Sequence, residues 1–539
     1  MCKSWVITFL MALGLAGVGG RIAVATQKRC EDLAQLTLPN TKITLAQTVA
    51  AGTFRPPPPP NPAPGGQASY ADVPSFCRVT GEISPTPDSD IKFEVWLPVT
   101  EWNGKFQGQG NGGFAGAIDY HGMGEAVKHG YATAGTDTGH VGGEAAWALG
   151  HPEKVIDFGY RGLHETTVKA KAIIDAFYGN NPQRSYFASC SDGGREALME
   201  AQRFPEDYDG ILAGAPANYW TRLLLGAASV DVATLKDEAS YIPAAKLPAI
   251  AGGVLAACDA QDGVKDGLVG EPRQCQFDPA SLLCKDADFD SCLTAAQVAA
   301  LKKIYAGPHD SAGRQLFPGY PPGGEEGPGG WAAWITGSEP RHSLLFFFGS
   351  QYFTNMVYEQ KDWDFKNLNV DQAAKLADEK TGQALNAINP DLGLFRKRGG
   401  KLILYHGWSD AAIPATSTID YYRHVVATLG RRKVNTFVRF YLAPGMQHCG
   451  GGPGPNFFGQ FANASPVDPR HNMYSALEQW VEKGVAPSQF IATKYVNDTD
   501  HTKGIKMTRP LCPYPEVARY KGTGDINDAA NFVCSPGFK

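Results

Sequence analysis

The sequence has no surplus of positive charge. Its 49 lysines and arginines face 54 aspartates and glutamates, giving a formal net charge of -5 and a pI near 6.2. That balance gives no electrostatic ground for expecting nucleic acid or an anionic membrane as a partner. There is no internal repeat. Beyond the N-terminus there is no apolar run long enough to cross a membrane. Charged residues are sparse at 19%, whereas 62 glycines and 38 prolines predict long and numerous loops. A chain of 539 residues with 43% hydrophobic content has room for one large domain with an insertion, or for two to four ordinary ones.

The one apolar run at the N-terminus reads as an export signal. Lys3 precedes residues 5–18, which are almost wholly apolar, and Ala23-Val24-Ala25 resembles a signal-peptidase site. Residues 1–25 are therefore expected to be a signal peptide, and the mature protein to be secreted or periplasmic. Cys2 precedes the apolar run instead of following it, so a lipoprotein anchor is not indicated. Ten cysteines remain after Cys2: Cys30, Cys77, Cys190, Cys258, Cys275, Cys284, Cys292, Cys449, Cys512 and Cys534. An even number in an exported chain predicts five disulfides, and the spacing leaves their connectivity open.

Residues 55–66 carry seven prolines and read as an exposed loop. After them, strand-like and helix-like stretches alternate. Strands are expected over 91–100, from 105 into a glycine-rich turn, and over 131–136, 184–189 and 210–217. Helices are expected over 163–177 and 194–203. Such alternation with short connections argues for a doubly wound, mostly parallel sheet covered on both faces. The pattern stops near Asn218 and resumes with a strand over 401–405, a helix over 416–429, a strand over 436–442 and a helix over 473–482. The expected organisation is an α/β domain formed by 26–217 and 391–539, interrupted by an insertion over 218–390.

Ser191 lies in Ser189-Cys190-Ser191-Asp192-Gly193, between an expected strand and an expected helix. A serine on such a turn, flanked by small residues, is the nucleophile elbow of α/β-hydrolases. The N–H of Asp192 and the turn Gly112-Gly113 are candidate oxyanion donors. Asp410 and His448 each follow a later strand in the chain order that such triads require. Ser191 is therefore the candidate nucleophile, His448 the general base and Asp410 the residue that orients it. Asp137 and Asp420 are weaker candidates for the acid. His140, His151, His164 and His406 read as surface or structural residues.

These residues resemble the tannase and feruloyl esterase family. The shared pattern is Gly-Cys-Ser-x-Gly-Gly-Arg, His-Gly-Trp-x-Asp and Pro-Gly-Met-x-His-Cys followed by Gly-Gly-Gly-Pro. Here these are residues 189–195, 406–410 and 444–453, with Ser189 where the family has glycine. The resemblance implies a secreted serine esterase acting on a small ester of a phenolic or aromatic acid, of feruloyl, galloyl or chlorogenic type. A terephthalate monoester hydrolase is the alternative within that class. A catalytically silent binding protein is the alternative outside it, with Ser189 as its hint. The resemblance also implies a Cys190–Cys449 disulfide beneath the site, and the pairs Cys30–Cys77, Cys258–Cys275, Cys284–Cys292 and Cys512–Cys534. No organic cofactor is implied.

Residues 259–268 (Asp-Ala-Gln-Asp-Gly-Val-Lys-Asp-Gly-Leu) place three carboxylates on two tight turns, a hard-oxygen set suited to Ca²⁺, although two acidic surface turns would read the same way. The resemblance implies a structural calcium there, held by the side chains of Asp259, Asp262 and Asp266 and the carbonyls of Val264 and Leu268. Trp331 and Trp334 lie in an aromatic-rich part of the insertion. They are expected to form part of a lid whose aromatic walls stack on an aromatic acyl group. Arg341 is a candidate partner for a substrate carboxylate, fixed by no motif.

Overall fold

The computed structural model describes residues 1, 27–57, 69–461 and 468–537. The expected signal segment lies outside the described residues except for Met1, as does much of the proline-rich loop. The described chain builds a nine-stranded sheet from β1 (Thr41–Val49), β2 (Phe76–Ile83), β3 (Ile91–Pro98), β4 (Lys105–Gln109), β5 (Ala132–Thr136), β6 (Arg184–Cys190), β7 (Gly210–Gly214), β8 (Lys401–Gly407) and β9 (Val438–Ala443). Their order is β1-β2-β3-β5-β4-β6-β7-β8-β9. The pairings from β5 onward are parallel, and those among β1, β2, β3 and β5 are antiparallel. This is the α/β-hydrolase architecture.

The parallel strands are apolar on both faces because helices cover both. Phe187, Ile211, Leu402 and Leu404 face Ile173, Leu198 and Ile419, which belong to helices Gly162–Tyr178, Asp192–Arg203 and Ala415–Leu429. Their strand neighbours Tyr186, Leu212, Ile403 and Tyr405 face Ala126, Leu477 and Trp480, from helices Tyr120–Lys128 and Met473–Lys483. The two antiparallel strands β1 and β2 precede the expected alternation. Two further hairpins, β10 (Phe490–Tyr495) with β11 (Ile505–Leu511) and β12 (Glu516–Tyr520) with β13 (Phe532–Pro536), follow it.

Between β7 and β8 the chain adds no strand to the sheet and is helical. One stretch there, Glu238–Asp262, has the length and apolar content of a membrane span, which the sequence reading passed over. It is broken into short helices. Leu247, Ile250 and Val254 of its longest piece are buried, the first two beside Leu293, Leu301 and Ile304 and the last beside Cys258 and Val269, so its apolar face is already covered by protein.

Five disulfides are present among the described residues: Cys30–Cys77, Cys190–Cys449, Cys258–Cys275, Cys284–Cys292 and Cys512–Cys534. They close very different loops, from 8 residues in Cys284–Cys292 to 259 in Cys190–Cys449. Loop-closure entropy then predicts losses of about 2.5 kcal/mol for the short bridge and about 5.5 kcal/mol for the long one. Urea unfolding of the Cys284→Ser/Cys292→Ser and Cys190→Ser/Cys449→Ser variants measures the difference. The reverse order would count against an entropic role for the long bridge.

Candidate active site

β6 ends at Cys190, and the next residue turns the chain into helix Asp192–Arg203. Ser191 takes φ 66° and ψ -124°, a left-handed backbone that serine adopts only under constraint. Three hydrogen bonds impose it: Ser191 N donates to Gly214 O at 3.0 Å, and Ser191 O accepts from Ala217 N at 3.0 Å and Arg195 N at 3.1 Å. The helix is drawn tight against β7 at Gly194, where a Cβ would sit 2.3 Å from Gly214 O.

Ser189 is accommodated by its neighbours. A Cβ on Gly193 would fall 1.9 Å from Ser189 Oγ, and one on Gly110 would fall 2.6 Å from it. The serine side chain fills the space that these two glycines leave beside the elbow. The triad contacts are made with this serine in place, so it gives no hint of a silent site.

The structure brings Ser191, His448 and Asp410 together. His448 Nε2 lies 2.8 Å from Ser191 Oγ, and His448 Nδ1 lies 2.9 Å from Asp410 Oδ2. A carboxylate can only accept, so Nδ1 carries the proton and Nε2 is left to accept from the serine hydroxyl. Asp410 is 2% exposed, and its Oδ1 accepts from Ala412 N at 2.8 Å and Ile413 N at 2.9 Å. Its Oδ2 also meets His406 Nε2 at 3.1 Å. Burial alone would raise this acid, but the charges and hydrogen bonds of His448 and His406 hold its carboxyl well below the usual carboxylate range. His406 is structural as expected, and it also touches the acid. Its Nδ1 meets Thr418 Oγ1 at 2.9 Å, which fixes the ring. Asp137 bonds Lys92 N and Gly139 N instead of a histidine.

The candidate oxyanion groups are gathered at the same place. Asp192 opens its helix, so its N–H has no intrahelical acceptor. Gly112, Gly113 and Asp192 line the cavity that contains Ser191 and His448. The turn is pinned from two sides: Asn111 O accepts from Gly193 N at 2.9 Å, and Asn111 N donates to Glu196 Oε2 at 2.8 Å. Burial, then the charge of Asp192, pushes the Glu196 carboxyl up to about 8. The sequence reading missed Glu196. It also missed Arg195, which is fully buried, donates to Asp192 Oδ1 at 2.6 Å and to Gly159 O at 2.6 Å, and stacks on Phe158. The pattern Asp192-x-x-Arg195-Glu196, one helical turn of charge next to a nucleophile, was the available signal.

The cavity has a volume of about 800 Å³, within the usual range for a small-molecule site. One wall is apolar, formed by Trp220, Leu223, Leu224, Trp334, Leu345 and Phe348. Trp334 stands edge-on to the His448 ring at 5.1 Å and stacks with Phe348 at 6.0 Å. Trp331, expected beside it, does not line the cavity. It is 1% exposed and packs against Tyr305 in the core of the insertion. The two rings lie three residues apart on a four-residue helix, Trp334 at the cavity and Trp331 in the core. Arg341 also lies off the cavity, exposed, with its guanidinium over Phe365. The insertion is tied to the triad loops, because Ser409 Oγ donates to Gly323 O at 2.7 Å and Gln447 Nε2 to Gly324 O at 2.9 Å.

The acidic loop is folded around Asp259, which accepts from Asp266 N at 3.1 Å and Gly267 N at 3.2 Å. Asp262 accepts from Val264 N, and Asp266 accepts from Leu268 N and pairs with Arg509. Burial, with the charges of Asp266 and Asp259, pushes the Asp262 carboxyl up to about 6. Arg509 neutralises Asp266, while Asp259 and Asp262 leave negative charge in the loop, hard oxygens of the kind that Ca²⁺ takes.

Comparison with known proteins agrees with this architecture. Residues 77–535 match the tannase and feruloyl esterase family. An uncharacterized esterase of Xanthomonas campestris pv. campestris is 41% identical, over 96% of this chain and 93% of that protein. The mono(2-hydroxyethyl) terephthalate hydrolase of Piscinibacter sakaiensis is 35% identical, over 87% of this chain and 86% of that protein. The crystal structure of feruloyl esterase B from Aspergillus oryzae superposes with a TM-score of 0.85 at 31% identity, covering 94% of this chain and 99% of that one. The chain belongs to the tannase and feruloyl esterase family, and is a carboxylic ester hydrolase.

Proposed function

We propose that the protein is an exported serine esterase that cleaves esters of phenolic or other aromatic acids through Ser191, His448 and Asp410. The observation that carries this reading is the His448 ring, hydrogen-bonded to Ser191 on one side and Asp410 on the other beneath an aromatic wall. His448 Nε2 takes the hydroxyl proton as Ser191 Oγ attacks the ester carbon. The N–H groups of Asp192 and of Gly112 or Gly113 stabilise the oxyanion. The proton returns to the leaving alcohol, and water then repeats the sequence to release the acid. Asp410, ionised and buried, keeps Nδ1 protonated and stabilises the imidazolium. Residues 218–390 act as the lid, with Trp334 and Phe348 against the aromatic acid. Five disulfides support export.

A terephthalate monoester is the second reading, favoured by the Piscinibacter relative. Against it, no lysine or arginine lines the cavity among the described residues, so a substrate carboxylate would lack a cationic partner. Turnover of methyl ferulate, methyl gallate and the terephthalate monoester, measured side by side, separates the two. The aromatic-ester reading fails if the wild-type protein turns over none of these.

Calcium, when bound, would order the loop 259–268 and supply no chemistry at Ser191. Asp259, Asp262 and Asp266 and the carbonyls of Val264 and Leu268 would hold it, with Cys258–Cys275 closing the loop.

Ser191→Ala is expected to lose about 10⁵–10⁶-fold in kcat and to escape fluorophosphonate labelling, and Asp410→Asn to lose about 10⁴-fold. Full labelling of Ser191→Ala would remove the triad. Chelation should lower the thermal midpoint, and added Ca²⁺ should restore it in the wild type but not in Asp262→Asn. An unchanged midpoint would discard the metal. Glu196 gives a pH prediction. Folded, it keeps its proton to about pH 8, whereas the ordinary value is 4.5. The native state thus holds a proton that the unfolded chain has lost, and stability falls as pH rises across that window. Glu196→Gln keeps an acceptor for Asn111 and should flatten the fall in thermal midpoint. An identical slope would place the titration elsewhere.

A further inference from the structure

The cavity does not end at the aromatic wall. Past Ser191 it continues between helix Tyr120–Lys128 and the Cys190–Cys449 bridge, lined by Gln107, Gln109, His121, Glu125, Ala188 and Phe461. This branch is polar where the other is apolar, and its two glutamines are more than nine-tenths buried, at 3% and 5% exposure. They alternate on β4 and therefore project from the same face.

Their amide orientations follow from the network around them. The Thr133 hydroxyl donates to Gln107 O at 2.8 Å, so its oxygen must accept from Gln109 Nε2 at 2.9 Å. That leaves Gln109 Oε1 as a free acceptor. Gln107 Oε1 accepts from the Tyr474 hydroxyl at 3.4 Å, which leaves Gln107 Nε2 as a free donor. A donor and an acceptor thus lie side by side on the cavity lining without protein partners, open to water or to a ligand group. A hydroxyl group does both at once, accepting from one amide and donating to the other. Glu125, bonded to Lys128 at 2.7 Å, and His121 add polar groups at the rim.

We propose that this branch is the alcohol subsite, and that it takes a polyhydroxylated alcohol through Gln107 and Gln109. The inference rests on the aromatic-ester reading above, which gives the apolar wall to the acid and so leaves the polar branch to the leaving group. The ester bond spans the two at Ser191.

The test compares kcat/KM for methyl ferulate and for a feruloyl ester of glycerol, which share an acid and differ in the alcohol. The wild type should prefer the glycerol ester. Gln107→Leu and Gln109→Leu should each lower the glycerol-to-methyl ratio about tenfold, mainly through KM. Ala188→Leu narrows the branch from β6, beside Gln109, while leaving both amides in place, and should lower the same ratio, so the test survives if a glutamine variant fails to fold. An unchanged ratio in variants that fold overturns the inference while leaving the esterase reading intact. A shift in the ferulate-to-gallate ratio at constant methyl alcohol would give the branch to the acid and overturn it as well. Failure of the wild type on every ester would remove the esterase reading, and this one with it.

Discussion

The site depends on one backbone conformation, the left-handed turn at Ser191. A serine held at φ 66° is under strain, and its surroundings have to pay for it. Gly214 and Ala217 hold the turn from β7 and its exit, and Arg195 holds it from the helix. The Cys190–Cys449 bond lies on both sides of the chemistry, one residue before Ser191 and one after His448. It joins segments 259 residues apart, so the distance from hydroxyl to imidazole is set covalently as well as by packing.

Around that turn the buried titratable groups behave as one assembly. Asp192, Arg195 and Glu196 occupy a single helical turn and are all almost fully buried. Arg195 compensates Asp192 and reaches the carbonyls of Phe158 and Gly159, while Glu196 secures Asn111 at the root of the candidate oxyanion turn. His140 belongs to the same support: burial pushes its imidazole down to about 4, and the neutral ring bonds Phe114 O at 2.6 Å. Arg195 and Glu196 do not line the cavity, and its apolar wall carries no ionisable side chain.

Much of this was legible in the sequence, for a physical reason. Ser191, Asp410 and His448 each follow a strand of the parallel sheet, and strands buried on both faces announce themselves as apolar runs. β1 was missed because its face to solvent is irregular, with a bulge between Ile43 and Leu45. Trp331 and Trp334 could not be told apart, because facing is decided by how a four-residue helix docks and not by residue type. Gln107 and Gln109 read as ordinary strand polars, since only the cavity reveals that each amide keeps one atom without a protein partner. The insertion contributes no strand to the sheet and carries no regular period, so its contacts with Ser409 and Gln447 had no sequence signature.

The seat of Ser189 ties three positions into one historical unit. While Ser189 is present, neither Gly110 nor Gly193 can acquire a side chain without a collision. A lineage that gains the serine therefore binds both glycines more tightly, and one that loses it still meets Asn111 O 2.8 Å from a Cβ at 193 and the Phe187 ring 2.9 Å from one at 110. A homologue carrying serine at the first position together with alanine at either of the others would need a different path for its backbone at the elbow.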